Sequence, residues 1–356
     1  MVHYIRFLQP PRVTRSKKDG IHALLSTLLT ITTDLGDAFY PGDSCVHCAI
    51  FNGTTMRSLG MARWMPGMRV MKIEAKVPLD FLRLRARFLF TCNELFEIDA
   101  LQIERLPNII SAWTEEFSHL DDLDSDTTVR RFRVPDGRAL EICEENGDSM
   151  ARHIWDGGVV LAAWLMDWTE SGQGRDIPFT VLELGTGCGT VGLAFGIRSD
   201  CRLLLTDVDD DALTYARQNA RRSQDTFNSV WECVALDWSE PGRLKLDRPL
   251  DFIIASECIY NPDSIPDLVR TMSSLVRQSN GLKEGSPPPQ IIVSTKVRHS
   301  SEAAFFDLMK QSNYDAKQHI SVPIPDQYRG SIGQDLEVVH IYIFEKHIES
   351  VSSGEK

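Results

Sequence analysis

The chain has no surplus of positive charge. Its 38 Lys and Arg stand against 50 Asp and Glu, a net charge of −12 over 356 residues. Broad, unassisted binding to a phosphate backbone needs the opposite balance, so no direct nucleic-acid binding is expected. The same charge is compatible with a basic protein as substrate. The sequence also lacks a run of about 18 apolar residues, so no membrane-spanning helix is expected. The longest apolar patch near the start, Ile21 to Leu29, is interrupted by His22, Ser26 and Thr27. Met1-Val2-His3-Tyr4-Ile5-Arg6 has no signal-peptide core. The eight cysteines are therefore expected as reduced thiols, in the cytoplasm, the nucleus or both. Several lie in apolar runs, as core thiols do. Cys45-Val46-His47-Cys48 is a C-x-x-C, but no second pair follows at zinc spacing, so no metal site is expected. No internal repeat is evident. What is present is ordinary for a folded chain: 42% hydrophobic and 25% charged residues, at a length that suggests two domains.

The most informative stretch is Val181-Leu182-Glu183-Leu184-Gly185-Thr186-Gly187-Cys188-Gly189-Thr190-Val191-Gly192. It reads as a buried parallel strand, a glycine-rich turn and a helix starting near Thr190. Glycines at 185, 187 and 189 allow positive φ and leave no Cβ between backbone and ligand. The helix start then offers free N–H groups. Such a unit cradles a nucleotide-type cofactor. Gly187-x-Gly189-x-x-Gly192 satisfies the dinucleotide pattern GxGxxG. The same letters also read as Glu-x-Gly-x-Gly-x-Gly, with an acid inside the strand. An acid there suits a ligand with a cationic amino acid end and would repel a pyrophosphate. Gly185 already holds the place directly after the strand, which further favours the second reading.

Arg202-Leu203-Leu204-Leu205-Thr206-Asp207 is a second apolar strand ending in an acid, twenty residues after Gly187. A carboxylate at that distance suits ribose hydroxyls. Asp209 is expected to cap a helix from Asp210 to Ser223, and Asn219 inside it to be a structural polar residue. Two more strands end in polar residues, at Asp237-Trp238 and at Ser256-Glu257-Cys258-Ile259-Tyr260-Asn261. Open α/β sheets place ligands at such strand ends.

Taken together, these pieces resemble the family-16 methyltransferases. These are class I, seven-β-strand protein lysine methyltransferases that include the methyltransferase-like 21 and 22 proteins. The Glu-x-Gly-x-Gly-x-Gly loop is similar to motif I of enzymes that use S-adenosylmethionine (SAM). Asp237-Trp238 matches an adenine-flanking Asp-Trp after the third strand. Glu257 and Tyr260 match a D-x-x-Y motif after the fourth. Trp155-Asp156-Gly157-Gly158-Val159-Val160-Leu161 matches a Trp-Asp helix start. The resemblance covers about residues 128–347. One position departs from it: the acid before Tyr260 is Glu257 where the family usually has Asp.

The resemblance implies a Rossmann-like α/β sheet of order 3-2-1-4-5-7-6 and SAM as cofactor. It implies SAM-dependent N-methyl transfer to a lysine of a protein substrate by in-line displacement. Gly185, Gly187 and Gly189 would line the methionine part, and Glu183 would orient the loop or the amino group. Asp207 would take the ribose, and Asp237 and Trp238 the adenine. Ser256 and Trp155 would complete the cofactor site. Glu257 and Tyr260 would meet the acceptor amine. The residues alone leave alternatives open. These are a small-molecule N- or O-methyltransferase on the same fold, a non-catalytic scaffold and, remotely, a dinucleotide oxidoreductase.

Residues 1–126 carry none of these motifs and read as a β-rich accessory module. Arg69 to Val77 and Leu82 to Phe90 alternate apolar and charged residues, the pattern of half-buried strands, and Val46 to Phe51 suits a third. The alternating Lys and Arg are expected on a solvated face. Asn108 to Leu120 is expected as a helix, and the acidic run from Asp121 to Asp126 as a linker. The catalytic domain is then expected over 127–347 and a disordered tail over 348–356. A hairpin is expected from Arg130 to Glu144 through Pro135-Asp136-Gly137, then a helix from Asp156 to Trp168. Pro266 to Gln278 is expected as a helix and Ser279 to Pro289 as a loop rich in Ser, Gly and Pro. Gln290 to Lys296 reads as strand five and Glu302 to Ser312 as a helix. His319 to Pro323 and Val338 to Glu345 read as a closing antiparallel pair.

Overall fold

The computed structural model describes residues 2–15, 20–83, 85–93, 96–117, 126–147, 149–171, 178–226, 229–282, 287–324 and 337–347. The expected tail, 348–356, and most of the acidic run lie outside the described residues.

Eleven strands come first. They are β1 (His3–Arg15), β2 (His22–Thr32), β3 (Ser44–Phe51), β4 (Met56–Trp64), β5 (Met71–Pro78), β6 (Arg87–Thr91), β7 (Asp99–Ala100), β8 (Ile109–Ile110), β9 (Ala112–Trp113), β10 (Thr127–Arg133) and β11 (Ala139–Glu145). One sheet has the order β5-β2-β1-β8; a second runs β11-β10-β9-β6-β3-β4, with β7 beside β10. Ile5, Leu25, Ile73, Val46, Trp64 and Phe88, drawn from both sheets, share one buried cluster. On β5 the alternation works as the sequence implies: Met71, Ile73 and Ala75 are buried while Lys72, Glu74 and Lys76 face solvent.

Several expectations for this part are corrected. The segment from Asn108 to Leu120 is not helical where it is described, because β8 and β9 lie in it and pair with β1, β6 and β10. The six consecutive residues from Ile109 to Thr114, Ser111 included, are all buried, which a helix with one apolar face cannot achieve. The strand expected from Leu82 begins only at Arg87, after a short 3₁₀ turn at Phe81–Arg83. The patch from Ile21 to Leu29 belongs to a long strand, β2, paired with β1 from Tyr4↔Thr32 to Arg15↔Ala23. Pro10 and Pro11 sit in β1 where its register shifts between Gln9 and Arg12, so their missing N–H groups break no regular ladder. The β10–β11 hairpin forms in full register, with Gly137 at φ 87° in its turn. It joins the second sheet through Val129↔Trp113, so that sheet crosses the boundary drawn at 126.

The remainder alternates strand and helix: α1 (Asp156–Ser171), β12 (Phe179–Leu184), α2 (Thr190–Arg198), β13 (Cys201–Asp207), α3 (Asp210–Arg222), β14 (Val230–Ala235), β15 (Phe252–Ser256), α4 (Ile265–Leu282), β16 (Gln290–Lys296), α5 (Ala303–Gln311), β17 (Tyr314–Pro323) and β18 (Val338–Lys346). The sheet order is β14-β13-β12-β15-β16-β18-β17, which in chain order is 3-2-1-4-5-7-6. Five strands are parallel and β18 runs antiparallel to β16 and β17. Helices cover both faces and bury two clusters, one around Leu165, Val191 and Ile254, the other around Leu184, Ile253 and Leu275. The α4 helix runs to Leu282, into the stretch expected as a loop. Buried Ser279 accepts the Leu250 N–H there at 2.9 Å, which gives the helix a reason to continue.

Two buried polar groups tie the parts together. Arg130 is fully buried, pairs with Glu144 at 2.7 Å and donates to the carbonyls of Ile5 and Ser111. Asn219 accepts from Cys143 N–H at 2.8 Å and donates to the carbonyls of Cys143 and Cys188, joining β11, α3 and the glycine loop. It is the structural polar residue its place in the sequence suggests.

Candidate active site

The turn after β12 takes the conformation its glycines permit. Gly185, Gly187 and Gly189 have φ of 64°, 53° and 84°. A Cβ on Gly185 would lie 2.7 Å from Cys258 Sγ, and one on Gly187 2.9 Å from the Ala151 carbonyl oxygen. Gly189 is different. It is the N-cap of α2, without a side-chain cap, and a Cβ there would face Leu193 and Ala216. It shapes the turn and does not line the cavity, which corrects the expectation that all three glycines would.

That cavity has a volume of about 650 Å³ and opens at the carboxyl ends of the parallel strands. Trp155, Glu183, Gly185, Gly187, Asp207, Asp237, Trp238, Ser256, Glu257 and Tyr260 all line it. Ten of the eleven residues singled out in the sequence are thus brought to one wall or another.

Glu183 is buried below the loop. Its Oε2 accepts from Thr186 Oγ1 at 2.6 Å and from the Gly192 N–H at 3.1 Å. A Cβ on Gly192 would meet that oxygen at 2.6 Å, so the third residue of the helix must be glycine for the acid to fit. Burial pushes the Glu183 carboxyl up to about 8, against the pull of the Thr186 hydroxyl and the Gly192 N–H. Asp207 accepts from the Gly187 N–H at 2.9 Å and the Asp209 N–H at 3.0 Å, and burial raises its pKa. The Val208 N–H also bears on this carboxylate, which lines the cavity wall beside Gly187. Asp209 accepts from Asp211 and Ala212 N–H groups and caps α3, as expected. Trp238 is half-buried, with its ring edge 3.5 Å from the position a Gly185 Cβ would take. Asp237 is exposed beside it, with its Oδ1 held by the Ser239 N–H at 2.8 Å. Ser256 Oγ lies 2.9 Å from Ser294 Oγ.

The opposite wall is built from charge. Glu257 has φ 55°, a strained value for a residue with a side chain. Its Oε1 accepts from the N–H groups of Gly157 and Lys296, both at 3.1 Å, and its Oε2 is paired with Arg298. Burial raises its carboxyl to about 7 although Arg298 pulls it down. Tyr260 stands at the mouth, half-exposed, and burial of its ring raises its hydroxyl pKa. Trp155 donates its indole N–H to the Met150 carbonyl at 2.9 Å and takes the Arg298 guanidinium over its face at 5.5 Å.

Sequence reasoning missed Arg298, Lys296 and Asp34. Lys296 ends β16 and Arg298 follows it, where the rule about strand ends applies as it does at the other four parallel strands. Asp34 follows β2 in the N-terminal module, and nothing near it in sequence signals a site. Its carboxylate lies 2.6 Å from Arg298 Nη2 and accepts the Asp156 N–H at 3.2 Å. Lys296 contacts Asp156 at 3.0 Å and Glu337 at 2.6 Å.

Known proteins can now be set beside this geometry. A UPF0665 family protein of Schizosaccharomyces pombe is 24% identical over 314 residues, 85% of this chain and 91% of that protein. That span is longer than residues 127–356, so the similarity runs into the N-terminal sheets. The protein-lysine N-methyltransferase EFM6 of Saccharomyces cerevisiae is 25% identical over 196 residues, 50% of this chain and 76% of that one. Among solved structures, a SAM-dependent methyltransferase of Agrobacterium tumefaciens overlaps with a TM-score of 0.41 at 14% identity, over 61% of this chain and 77% of the other. The family model described as lysine methyltransferase matches residues 134–312, half of the chain and the half that holds the glycine loop, Asp207 and Glu257. The chain belongs to this lysine methyltransferase family.

Proposed function

We propose that the two ends of the cavity divide the work, the glycine loop and Asp207 binding cofactor and Glu257 and Tyr260 meeting the acceptor. The chain is a SAM-dependent protein-lysine N-methyltransferase. One observation carries the division of roles. A single cavity joins the carboxyl ends of β12 and β13, with their Gly185, Gly187 and Asp207, to the end of β15, with Glu257 and Tyr260.

The residues fit SAM. Two glycines of one turn line the cavity without a Cβ, so a ligand could lie close to the backbone there. The Asp207 carboxylate on the cavity wall suits ribose hydroxyls, and the flat Trp238 ring suits an adenine. The buried acid Glu183 orients the loop through Thr186 and Gly192. SAM supplies an electrophilic methyl on a sulfonium.

Lysine needs a lone pair and alignment, and the reaction needs little other acid–base help. The nucleophile must approach to about 3–3.5 Å along the line of the breaking bond. Three of the four lone-pair positions of the Glu257 carboxylate are occupied, by Gly157, Lys296 and Arg298. The one left, on Oε2, accepts an N–H of the amine and turns its lone pair inward. Tyr260, open to solvent at the mouth, supplies a hydroxyl and one wall for a side chain arriving from a large partner. The eight free thiols support a reducing compartment, the cytoplasm or the nucleus.

Calorimetry with SAM, S-adenosylhomocysteine and NAD tests the cofactor, with micromolar binding of the first two and none of NAD expected. Tritiated SAM and a heated cell lysate then test the acceptor, with acid hydrolysis to look for methyllysine. Label found only in small molecules would overturn the protein acceptor. Glu257→Ala and Tyr260→Phe should lower turnover more than SAM affinity; lost affinity with normal turnover would contradict those roles.

A further inference from the structure

The N-terminal module reaches the cavity at one turn. Thr33 and Ala38 close it, with Thr33 N–H donating to Ala38 O at 3.0 Å and Gly36 N–H to Thr33 O at 3.1 Å. Leu35, half-exposed, lines the cavity itself. Asp34, beside it, is almost fully buried. Its Oδ1 accepts the Leu35 N–H at 2.9 Å, and its Oδ2 accepts from the Asp156 N–H and from Arg298.

Arg298 is a long side chain that gives up about 2 kcal/mol of rotamer entropy when fixed. It is fixed three times: by Asp34 on one nitrogen, by Glu257 on another and by the Trp155 face. The remaining charged groups around the pair are Asp156 at the start of α1, Lys296 at the end of β16 and Arg6 of β1, which donates to the Asp34 carbonyl at 2.8 Å. Glu302 holds the Arg298 and His299 backbone N–H groups. Tyr4 donates to Asp156 at 2.8 Å and Glu337 pairs with Lys296, so both stand one step behind. Lys296 pairs with Asp156 and Glu337 and lies 3.8 Å from Asp34 Oδ1, while Arg298 is the cation paired with Glu257. Two carboxylates share that guanidinium, and one belongs to a module outside the family match.

We propose that Asp34 is a positioning residue for the acceptor end of the cavity. It holds Arg298 against Glu257 and so fixes the orientation and the charge of the carboxylate that faces the amine. The proposal rests on the reading that Glu257 meets the acceptor. A purely structural Asp34 would join the two parts of the chain without any effect specific to methyl transfer. The N-terminal module, on this account, is part of the catalytic unit.

The test uses the full chain with Asp34→Asn, Arg298→Gln, Arg298→Lys and, as a control in the same turn, Asp37→Asn. Tritiated SAM and heated lysate give the labelling rate, calorimetry the SAM affinity, and hydrogen exchange the protection of the Gly157 and Lys296 amides that bind Glu257. Asp34→Asn should keep SAM affinity within about twofold, lower labelling about tenfold or more and speed exchange at both amides. Arg298→Gln should move the acid limb of the rate–pH profile upward, because Glu257 loses the cation that holds its pKa down. Arg298→Lys should restore part of the profile and Asp37→Asn should match the unmodified chain. Unchanged labelling and pH profile in Asp34→Asn would overturn the proposal. So would a joint fall of labelling, SAM affinity and melting temperature. If the unmodified chain labels no protein, the lysine assignment fails by itself. The two amides still decide about Asp34: faster exchange in Asp34→Asn supports the hold, and unchanged exchange overturns it.

Discussion

The two ends of the cavity are made in different ways. At the end proposed for the cofactor the backbone does most of the shaping. β12, three glycines and α2 follow one another directly, and Asp207 closes the site from the neighbouring strand by binding the Gly187 N–H. At the end proposed for the acceptor side chains do it. Asp34, Trp155, Glu257 and Arg298 come from four separate segments and meet through charge and an aromatic face. A backbone-built site is local, so its parts are neighbours in the chain. A charge-built site is long-range and depends on how two modules dock.

The contrast can be broken at the docking point first. Arg130→Met removes the fully buried partner of Glu144 and the hydrogen bonds to the carbonyls of Ile5 and Ser111. Breaking such a pair costs about 3–5 kcal/mol, so the melting temperature should fall more than in any other variant here. Thermal unfolding measures it, and a fall no larger than that of a surface variant would show that the junction is not held there.

Gly185→Ala should come next and strike the cofactor end. The left-handed backbone costs about 1–2 kcal/mol with a side chain, and the new Cβ meets Cys258 Sγ at 2.7 Å. SAM affinity should fall about a hundredfold by calorimetry, since each factor of ten is about 1.4 kcal/mol. An unaltered affinity would mean that the ligand does not follow the loop. Asp207→Ala should lower the same affinity by about tenfold, from the lost charged acceptor of the Gly187 and Asp209 N–H groups and of the ribose. Equal SAM affinity with and without that carboxylate would remove Asp207 from the site.

The smallest effect sharpens the comparison through pH. Glu183 titrates near 8 in the folded chain against an ordinary 4.5. A raised carboxyl pKa means that the native state holds the extra proton between those values. Its contribution to stability is present below about 4.5 and is lost as pH rises through about 8. Glu183→Gln cannot take that charge, so its melting temperature should decline less between pH 5 and about 8.5 than that of the unmodified chain. Parallel melting curves for the two would show that the acid is not forced to charge in its buried place.

Much of the seven-stranded sheet could be read in advance because its strands are continuous apolar runs between turn signals. Gln290–Lys296 was expected as a strand and is one, and the Gly-rich turn begins α2 at Thr190 as its letters suggest. The N-terminal sheets were harder. Residues 109–113 look like part of a helix by composition, yet they serve as two short strands because both flanking sheets bury them. β1 and β2 carry Pro10, Pro11, Ser26 and Thr27 within strands, and only the long pairing between them overrides those signals. Glu257 was legible as a candidate, and it lines the cavity, but its pairing with Arg298 was not legible. Nothing in the separation of 257 from 298 states that the side chains touch.

The sequence by itself determined the cradle. Positive φ, close backbone approach and a strand ending in an acid follow from residue type and spacing, because each acts on its immediate neighbours. The sheet order and the family were expected through the resemblance that these local motifs carry. Only the tertiary structure decided that Asp34 reaches Arg298, that Glu257 already holds a cation and that one sheet joins the N-terminal module to the β10–β11 hairpin. Those depend on distances between residues far apart in the chain, and such distances exist only after both parts have packed.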